Sequence, residues 1–84
     1  MHLILYVKPG CHLCEGLQEK IQSLKNLEIS LETRDITTKS QWFDAYQYEI
    51  PVLSLIKENK EINLPRPSPR ITVSQLENFL LKHL

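Results

Sequence analysis

The sequence predicts a small α/β domain in which helices cover both faces of a four-stranded mixed sheet, in the order β-α-β-α-β-β-α. A chain of 84 residues has room for one core, so we expect a single domain over residues 1–84. Its 42% of hydrophobic and 24% of charged residues are typical of a globular domain and not of a disordered chain. The formal net charge is zero, so we expect neither nucleic acid nor a membrane as a partner.

The first part of the chain predicts a strand, a helix and a second strand. Residues 2–7 form an apolar run without alternation, which is typical of a central strand buried on both faces. From about His12 to Lys25, apolar residues recur every three or four positions and predict a helix. Residues 27–32 alternate strictly between apolar and polar, which predicts a half-buried strand at or near a sheet edge.

A short helix and a hairpin are predicted next. Residues 38–41 have the form of a capping box, and Trp42, Ala45 and Tyr46 follow on one side of a helix. Pro51 then opens a buried strand over residues 52–56. A turn over residues 57–60 leads to an alternating strand at 61–64, so the two strands form an antiparallel hairpin.

The last segment predicts a helix that begins with a second capping box, Thr72 to Gln75, and carries Val73, Leu76, Phe79 and Leu80 on one face. The crossover through the first helix must be right-handed and must join parallel strands, whereas the hairpin supplies antiparallel ones. This combination predicts the thioredoxin fold.

Two cysteines, Cys11 and Cys14, lie at the predicted junction between the first strand and the first helix, directly after Pro9-Gly10. The start of a helix offers unpaired backbone N–H groups and a partial positive charge, both of which stabilise a thiolate. At this spacing the second sulfur can reach the first. The pattern predicts a thiol–disulfide oxidoreductase in which Cys11 attacks a substrate disulfide and Cys14 resolves the mixed disulfide. The alternative interpretation is that the two cysteines are unreactive and serve only as small apolar residues.

Metal and haem sites are not expected from these residues. Structural zinc requires four ligands, and the chain offers Cys11, Cys14 and at most His12. A haem attachment motif requires histidine after the second cysteine, where this chain has Glu15.

The first apolar run stops at Lys8 and is too short for a signal-peptide core or a membrane span, so we expect a cytoplasmic protein. In that reducing compartment a cysteine pair this close is not expected to be a structural staple.

Residues 6–14, which read Tyr-Val-Lys-Pro-Gly-Cys-His-Leu-Cys, resemble the glutaredoxin active-site segment Tyr-x-Lys-x-x-Cys-Pro-Tyr-Cys. Ile50-Pro51-Val52 resembles the Val-Pro step of that family. The resemblance covers the chain in element order and is greatest to short glutaredoxin-like proteins with Cys-His-Leu-Cys. It implies a cis Ile50–Pro51 bond, with Ile50 and Pro51 presenting an extended substrate chain. It also implies that Lys8 stabilises the thiolate or holds an anionic substrate group.

The same resemblance implies the partners. The substrate would be a disulfide in a protein or in a low-molecular-weight compound. The electron donor would be glutathione or a flavoprotein reductase, and no cofactor would be bound. We expect a monomer. Two other functions stay open, a non-catalytic thioredoxin-fold binding module and a glutathione-dependent iron–sulfur cluster carrier.

The chain departs from the glutaredoxin pattern at two places. His12 and Leu13 replace Pro and Tyr between the cysteines, and His12 is either a group that stabilises the Cys11 thiolate or an exposed first-turn residue. Residues 64–70 replace the Gly-Gly turn and acidic residue that help to hold glutathione. In this stretch Arg66 and Arg70 either bind an anionic group such as a carboxylate or belong to a stiff connector.

Overall fold

The computed structural model describes residues 1–83, and these form four strands and three α-helices. The strands are β1 (His2–Val7), β2 (Ser30–Asp35), β3 (Val52–Lys57) and β4 (Lys60–Asn63). The helices are α1 (His12–Gln22), α2 (Ser40–Tyr46) and α3 (Val73–Lys82), and a one-turn 3-10 helix, Ile36–Thr38, precedes α2.

The strand order in the sheet is β2-β1-β3-β4. β1 pairs parallel with β2 and antiparallel with β3, and β3 pairs antiparallel with β4. The predicted element order, the mixed sheet and the edge position of β2 are confirmed. The predicted domain reaches Leu84, which lies outside the described residues.

The sheet separates two clusters of buried side chains. Helices α1 and α3 cover one face, where Leu3 and Leu5 of β1 pack with Leu17, Ile21, Leu53, Leu55, Leu76 and Leu80. The 3-10 helix and α2 cover the other face, where Ile4 and Tyr6 of β1 pack with Ile36. Because β1 serves both clusters, its residues from Leu3 to Tyr6 are all buried. This explains the apolar run without alternation.

Strand β2 begins three residues later than predicted. Its register is fixed by β1, since His2 pairs with Ser30 and the Ser30 N–H donates to the Met1 carbonyl at 2.9 Å. Leu27 and Ile29, the apolar residues of the predicted strand, pack instead against the α1/α3 cluster.

Helix α1 ends at Gln22, before the predicted end near Lys25. The Ser23 hydroxyl donates to the Glu19 carbonyl at 2.7 Å, and the Leu24 N–H donates to the Ile21 carbonyl at 3.2 Å. The second of these bonds is of the 3-10 type and closes the last turn.

The predicted capping box before α2 is wrong. The Thr38 hydroxyl donates to the Asp35 carbonyl at 2.7 Å, and the N-cap of α2 is Lys39, which makes no side-chain capping bond. Within α2 Ala45 is exposed, contrary to the prediction, while Phe43 is half-buried against the second cluster.

The second capping box is confirmed. The Gln75 N–H donates to the Thr72 hydroxyl at 3.1 Å, and the Gln75 side chain accepts from the Thr72 N–H at 3.0 Å. Val73 is 38% exposed and lies outside the core, contrary to the prediction. The hairpin is confirmed, with Glu58 and Asn59 at positive φ in its turn.

Candidate active site

A tight turn carries the chain from the end of β1 into α1. Gly10 has φ +82°, a conformation that L residues with a Cβ adopt only at a cost in energy. The turn brings the Cys11 N–H to within 3.1 Å of the Lys8 carbonyl. Cys11 then leaves the turn in extended conformation (φ −85°, ψ 101°) as the N-cap of α1. The backbone therefore places this sulfur at the positive end of the helix dipole.

Cys11 and Cys14 are joined as a disulfide with a Cα–Cα distance of 5.3 Å. The Cys14 N–H donates to Cys11 Sγ at 3.2 Å, so the sulfur occupies the place of a capping side-chain oxygen. Cys14 is only 2% exposed, whereas Cys11 is partly exposed. Cys11 is therefore the more accessible of the two cysteines from solvent.

His12 and Lys8 lie on different sides of this pair. The His12 side chain is 93% exposed, and its Nδ1 lies 3.6 Å from Glu15 Oε2. Lys8 is exposed, and it borders a hollow of about 190 Å³ together with Cys14 and Asp35. Hydrogen bonds from the Thr37 hydroxyl and N–H hold the pKa of Asp35 below its usual range, so this hollow carries a stable negative charge beside Lys8.

A larger cavity of about 240 Å³, which we call the groove, lies beside the residues between the two cysteines. Its walls come from the first turns of α1, from Pro51 and from residues 64–70, which we call the strap. Pro51 is buried and follows a cis peptide bond from Ile50. The full lining is His12, Leu13, Gly16, Leu17, Lys20, Pro51, Arg66, Pro67, Ser68, Pro69 and Ile71.

Two side-chain hydrogen bonds hold the strap against the rest of the site. Arg66 Nη2 donates to the Ile50 carbonyl at 3.2 Å, and Lys20 Nζ donates to the Pro69 carbonyl at 3.0 Å. Pro67 is buried in the strap, and the Ile71 N–H closes a turn onto the Ser68 carbonyl at 3.0 Å. Prolines at alternate positions limit the conformations of the strap, so the wall of the groove is stiff.

A family model described as "Glutaredoxin-like domain (DUF836)" matches residues 2–81. The chain belongs to this glutaredoxin-like family. Among solved structures, thioredoxin 1 from Thermosipho africanus TCF52B is similar with a TM-score of 0.68 and 20% identity, over 99% of this chain and 93% of that one. A structural genomics target protein from X. campestris is similar with a TM-score of 0.68 and 22% identity, over 95% and 96%. The search of curated proteins gave no match.

These comparisons confirm that this glutaredoxin-like chain has the thioredoxin fold, since both solved structures align over nearly its whole length. The fold and the Cys11–Cys14 pair together indicate a redox function. Within residues 1–83 there is no group of three or more Cys, His, Asp or Glu side chains placed to hold a metal ion. The helices of the same residues are too short or too polar to cross a membrane.

The structure brings His12, which we also considered from the sequence as a substrate-binding residue, and Pro51 to the border of one groove. Ile50 reaches it only through the carbonyl that Arg66 holds, because its half-buried side chain packs against the α2 cluster. Lys8 lies instead at the smaller hollow behind Cys14. Sequence reasoning missed Lys20 and the apolar part of the groove lining, and left the role of Arg66 open. The available signal was the strap itself, whose repeated prolines indicate a fixed wall.

Proposed function

We propose that this chain is a dithiol thiol–disulfide oxidoreductase. The observation that carries the proposal is the asymmetry of the cysteine pair at the start of α1. Cys11 caps the helix and accepts the Cys14 N–H at 3.2 Å, while Cys14 is 2% exposed. An N–H bond and a helix N-terminus both favour the thiolate over the thiol, and the thiolate is the attacking species.

The two cysteines take successive steps. The Cys11 thiolate attacks one sulfur of a substrate disulfide, the substrate S–S bond breaks, and the other sulfur leaves as a thiolate that takes a proton from water. Cys14 then loses its proton and attacks the Cys11 sulfur, which releases the second substrate thiol. Two electrons pass to the substrate, and the Cys11–Cys14 disulfide remains to be reduced by glutathione or by a flavoprotein reductase.

The neighbouring residues take supporting roles in this proposal. Pro51 and Ile50 present the substrate chain beside Cys11, and His12 borders the path of that chain. Lys8 contributes positive charge to the turn that precedes the dithiol. The place of action would be the cytoplasm, where a reducing thiol pool can return the pair to its dithiol form.

A redox titration in glutathione buffers, read by the intact mass of acid-quenched protein, tests the proposal. We expect the reduced protein to lose two hydrogens at a definite potential, because Cys14 lies within reach of Cys11. In Cys14→Ser we expect a mixed disulfide on Cys11, since the resolving sulfur is gone. If the folded protein forms neither species at any potential, a binding role replaces catalysis. Visible absorbance in freshly purified protein would instead indicate an iron–sulfur carrier.

A further inference from the structure

The lining of the groove carries a net positive charge. The charged residues in its lining, all within the described part of the chain, are Lys20 and Arg66. Each donates to a backbone carbonyl and not to a carboxylate. Among the ion pairs found in residues 1–83, neither cation takes part. Because a carbonyl partner leaves the full charge in place, the groove attracts an anionic group.

Part of the groove lining is apolar, and we call this part the floor. Leu13, Leu17, Pro51, Pro67 and Ile71 line it, and Leu13 is 50% exposed although it is a large apolar side chain. The volume of about 240 Å³ lies below the ~300–1,000 Å³ of cavities that hold a whole drug-sized molecule. This size suits one or two side chains of a polypeptide.

The Arg66 guanidinium has N–H donors left for a second partner. Its Nη2 is fixed on the Ile50 carbonyl, immediately before Pro51. A guanidinium has five N–H donors in a rigid fork, so the donors not used on Ile50 can bind a carboxylate. Since His12 and Leu13 border the groove, a chain bonded through its sulfur to Cys11 would have its flanking side chains beside Arg66.

We propose that the groove selects polypeptide disulfides whose reacting cysteine is flanked by an aliphatic side chain and a carboxylate side chain. The aliphatic group would fill the floor, and Arg66 would bind the carboxylate as the residue that determines specificity, with Lys20 adding charge. This inference rests on the proposed function. The bonds made and broken are those of the two exchange steps given above, and the groove only orients the substrate disulfide.

The test compares short peptides that carry one cysteine as a mixed disulfide with a small neutral thiol. The cysteine is flanked by Leu and Glu, by Leu and Gln, or by Ser and Glu, in both orders. The measured quantity is the second-order rate constant for oxidation of the reduced protein, read by intact mass after acid quench. At low ionic strength we expect the Leu/Glu peptide to react about fivefold faster than Leu/Gln, the size of one partly exposed ion pair. We expect the Ser/Glu peptide to lose rate as well, and added salt to reduce the charge preference.

The matched variants are Arg66→Gln and Arg70→Gln. Both remove a cation from the strap, but Arg70 does not line the groove. We expect the ratio of Glu to Gln rates to fall to about one in Arg66→Gln and to keep its wild-type value in Arg70→Gln. An equal fall of this rate ratio in both variants would overturn the proposal, because the overall charge of the protein would then explain the preference.

The remaining outcomes distinguish failure of the proposed specificity from failure of the proposed oxidoreductase function. Equal rates with all three pairs of flanking residues, in both orders, would overturn the specificity but support the oxidoreductase. A faster reaction with glutathione disulfide than with the Leu/Glu peptide would overturn the proposed substrate class. Absence of reaction with every peptide and with glutathione disulfide would overturn the oxidoreductase itself, and the specificity with it.

Discussion

Cys11 joins a structural role to its proposed chemical one. N-cap positions normally hold Ser, Thr, Asp or Asn, whose oxygen accepts an N–H of the first turn. In α1 the Cys11 sulfur accepts that bond from Cys14, the residue to which it is joined as a disulfide. The same N–H can therefore stabilise the Cys11 thiolate after reduction, without movement of the helix.

The sequence leaves two interpretations of His12 open, a group that stabilises the Cys11 thiolate and an exposed first-turn residue, and its exposure favours the second. Its side chain is 93% exposed and its ring faces Glu15 at 3.6 Å. Exposed charges are screened by water and salt, so a protonated His12 would add little to the stability of a neighbouring thiolate. We expect His12→Ala to leave the pH at which the Cys11 thiolate forms unchanged.

The rate of alkylation of reduced protein against pH measures this quantity. The Cys14→Ser background serves as the reference, because only Cys11 then reacts. In that background we expect the thiolate to form well below pH ~8.5, the usual value for a free thiol. A shift toward pH 8.5 on adding His12→Ala would assign the stabilisation to the imidazole.

At the scale of elements, we expect alanine to have opposite effects on stability at the two glycines of the chain. Gly10 has φ +82°, whereas Gly16 lies inside α1, and an added Cβ would meet no atom within 4 Å at either place. Both sites therefore have room for a Cβ, and they differ only in backbone conformation. We expect Gly10→Ala to lower the free energy of unfolding by about 1 kcal/mol, the cost of a left-handed conformation with a Cβ. We expect Gly16→Ala to raise it by up to about 1 kcal/mol, because Ala favours helix.

Urea denaturation of the two variants and the wild-type protein measures both changes. Each variant is the control for the other, since both add one methyl group close to the dithiol. A change of the same sign in both would contradict the account. It would mean that packing near the cysteines, and not the conformation of the Gly10 turn, decides the effect.

The sequence predicts those elements whose signals are local. The apolar run of β1, the periodicity of α1 and the Thr72–Gln75 box of α3 each lie within one segment, and each element forms, although α1 ends at Gln22, earlier than predicted. Strand β2 is displaced because its register depends on pairing with His2, far away in the chain. The predicted box before α2 fails because the helix begins one residue later than predicted, with Lys39 as its N-cap, and the Thr38 hydroxyl donates to the Asp35 carbonyl.

The candidate site also has one part that local sequence predicts and one part that it does not. The dithiol can be predicted because its spacing and the preceding turn are local. The groove cannot, since it exists only where Lys20 of α1 meets Pro69 of the strap, 49 residues later. The positions of Arg66 and Arg70 relative to the groove also depend on this contact, so the sequence alone left both open as anion-binding residues.

At the scale of the whole molecule, the sheet separates the candidate site from a polar network. Helix α1, which carries the cysteines, packs on one face, and on the other Tyr6 of β1, Arg34 of β2 and Glu61 of β4 are hydrogen-bonded together. The Tyr6 hydroxyl donates to Glu61 and accepts from Arg34 Nη1 at 3.0 Å. Trp42 of α2 lies over the Arg34 guanidinium at 5.2 Å. The network thus links three strands and a helix away from the reacting sulfurs.

Because of the Tyr6 hydroxyl, we expect the free energy of unfolding to depend on pH in the alkaline range. Tyr6 is 2% exposed, and burial, then the hydrogen bond to Glu61 and its negative charge, raise the pKa of Tyr6 far above its ordinary value. In the unfolded chain this hydroxyl loses its proton near pH 10, while in the folded chain it keeps it. Above pH ~10 the unfolded state therefore binds fewer protons, and stability falls as pH rises, by up to about 1.4 kcal/mol per unit from this group.

Tyr6→Phe tests this origin of the pH dependence. At neutral pH we expect a lower free energy of unfolding than in the wild-type protein, because Glu61 and Arg34 lose a buried partner. Above pH ~10 we expect a shallower decline, since the variant has no hydroxyl to ionise on unfolding. Tyr48→Phe is the matched control, because Tyr48 is 87% exposed and should keep the wild-type slope. Denaturation curves at several alkaline pH values give the slopes, and an unaltered slope in Tyr6→Phe would exclude Tyr6 as the group responsible.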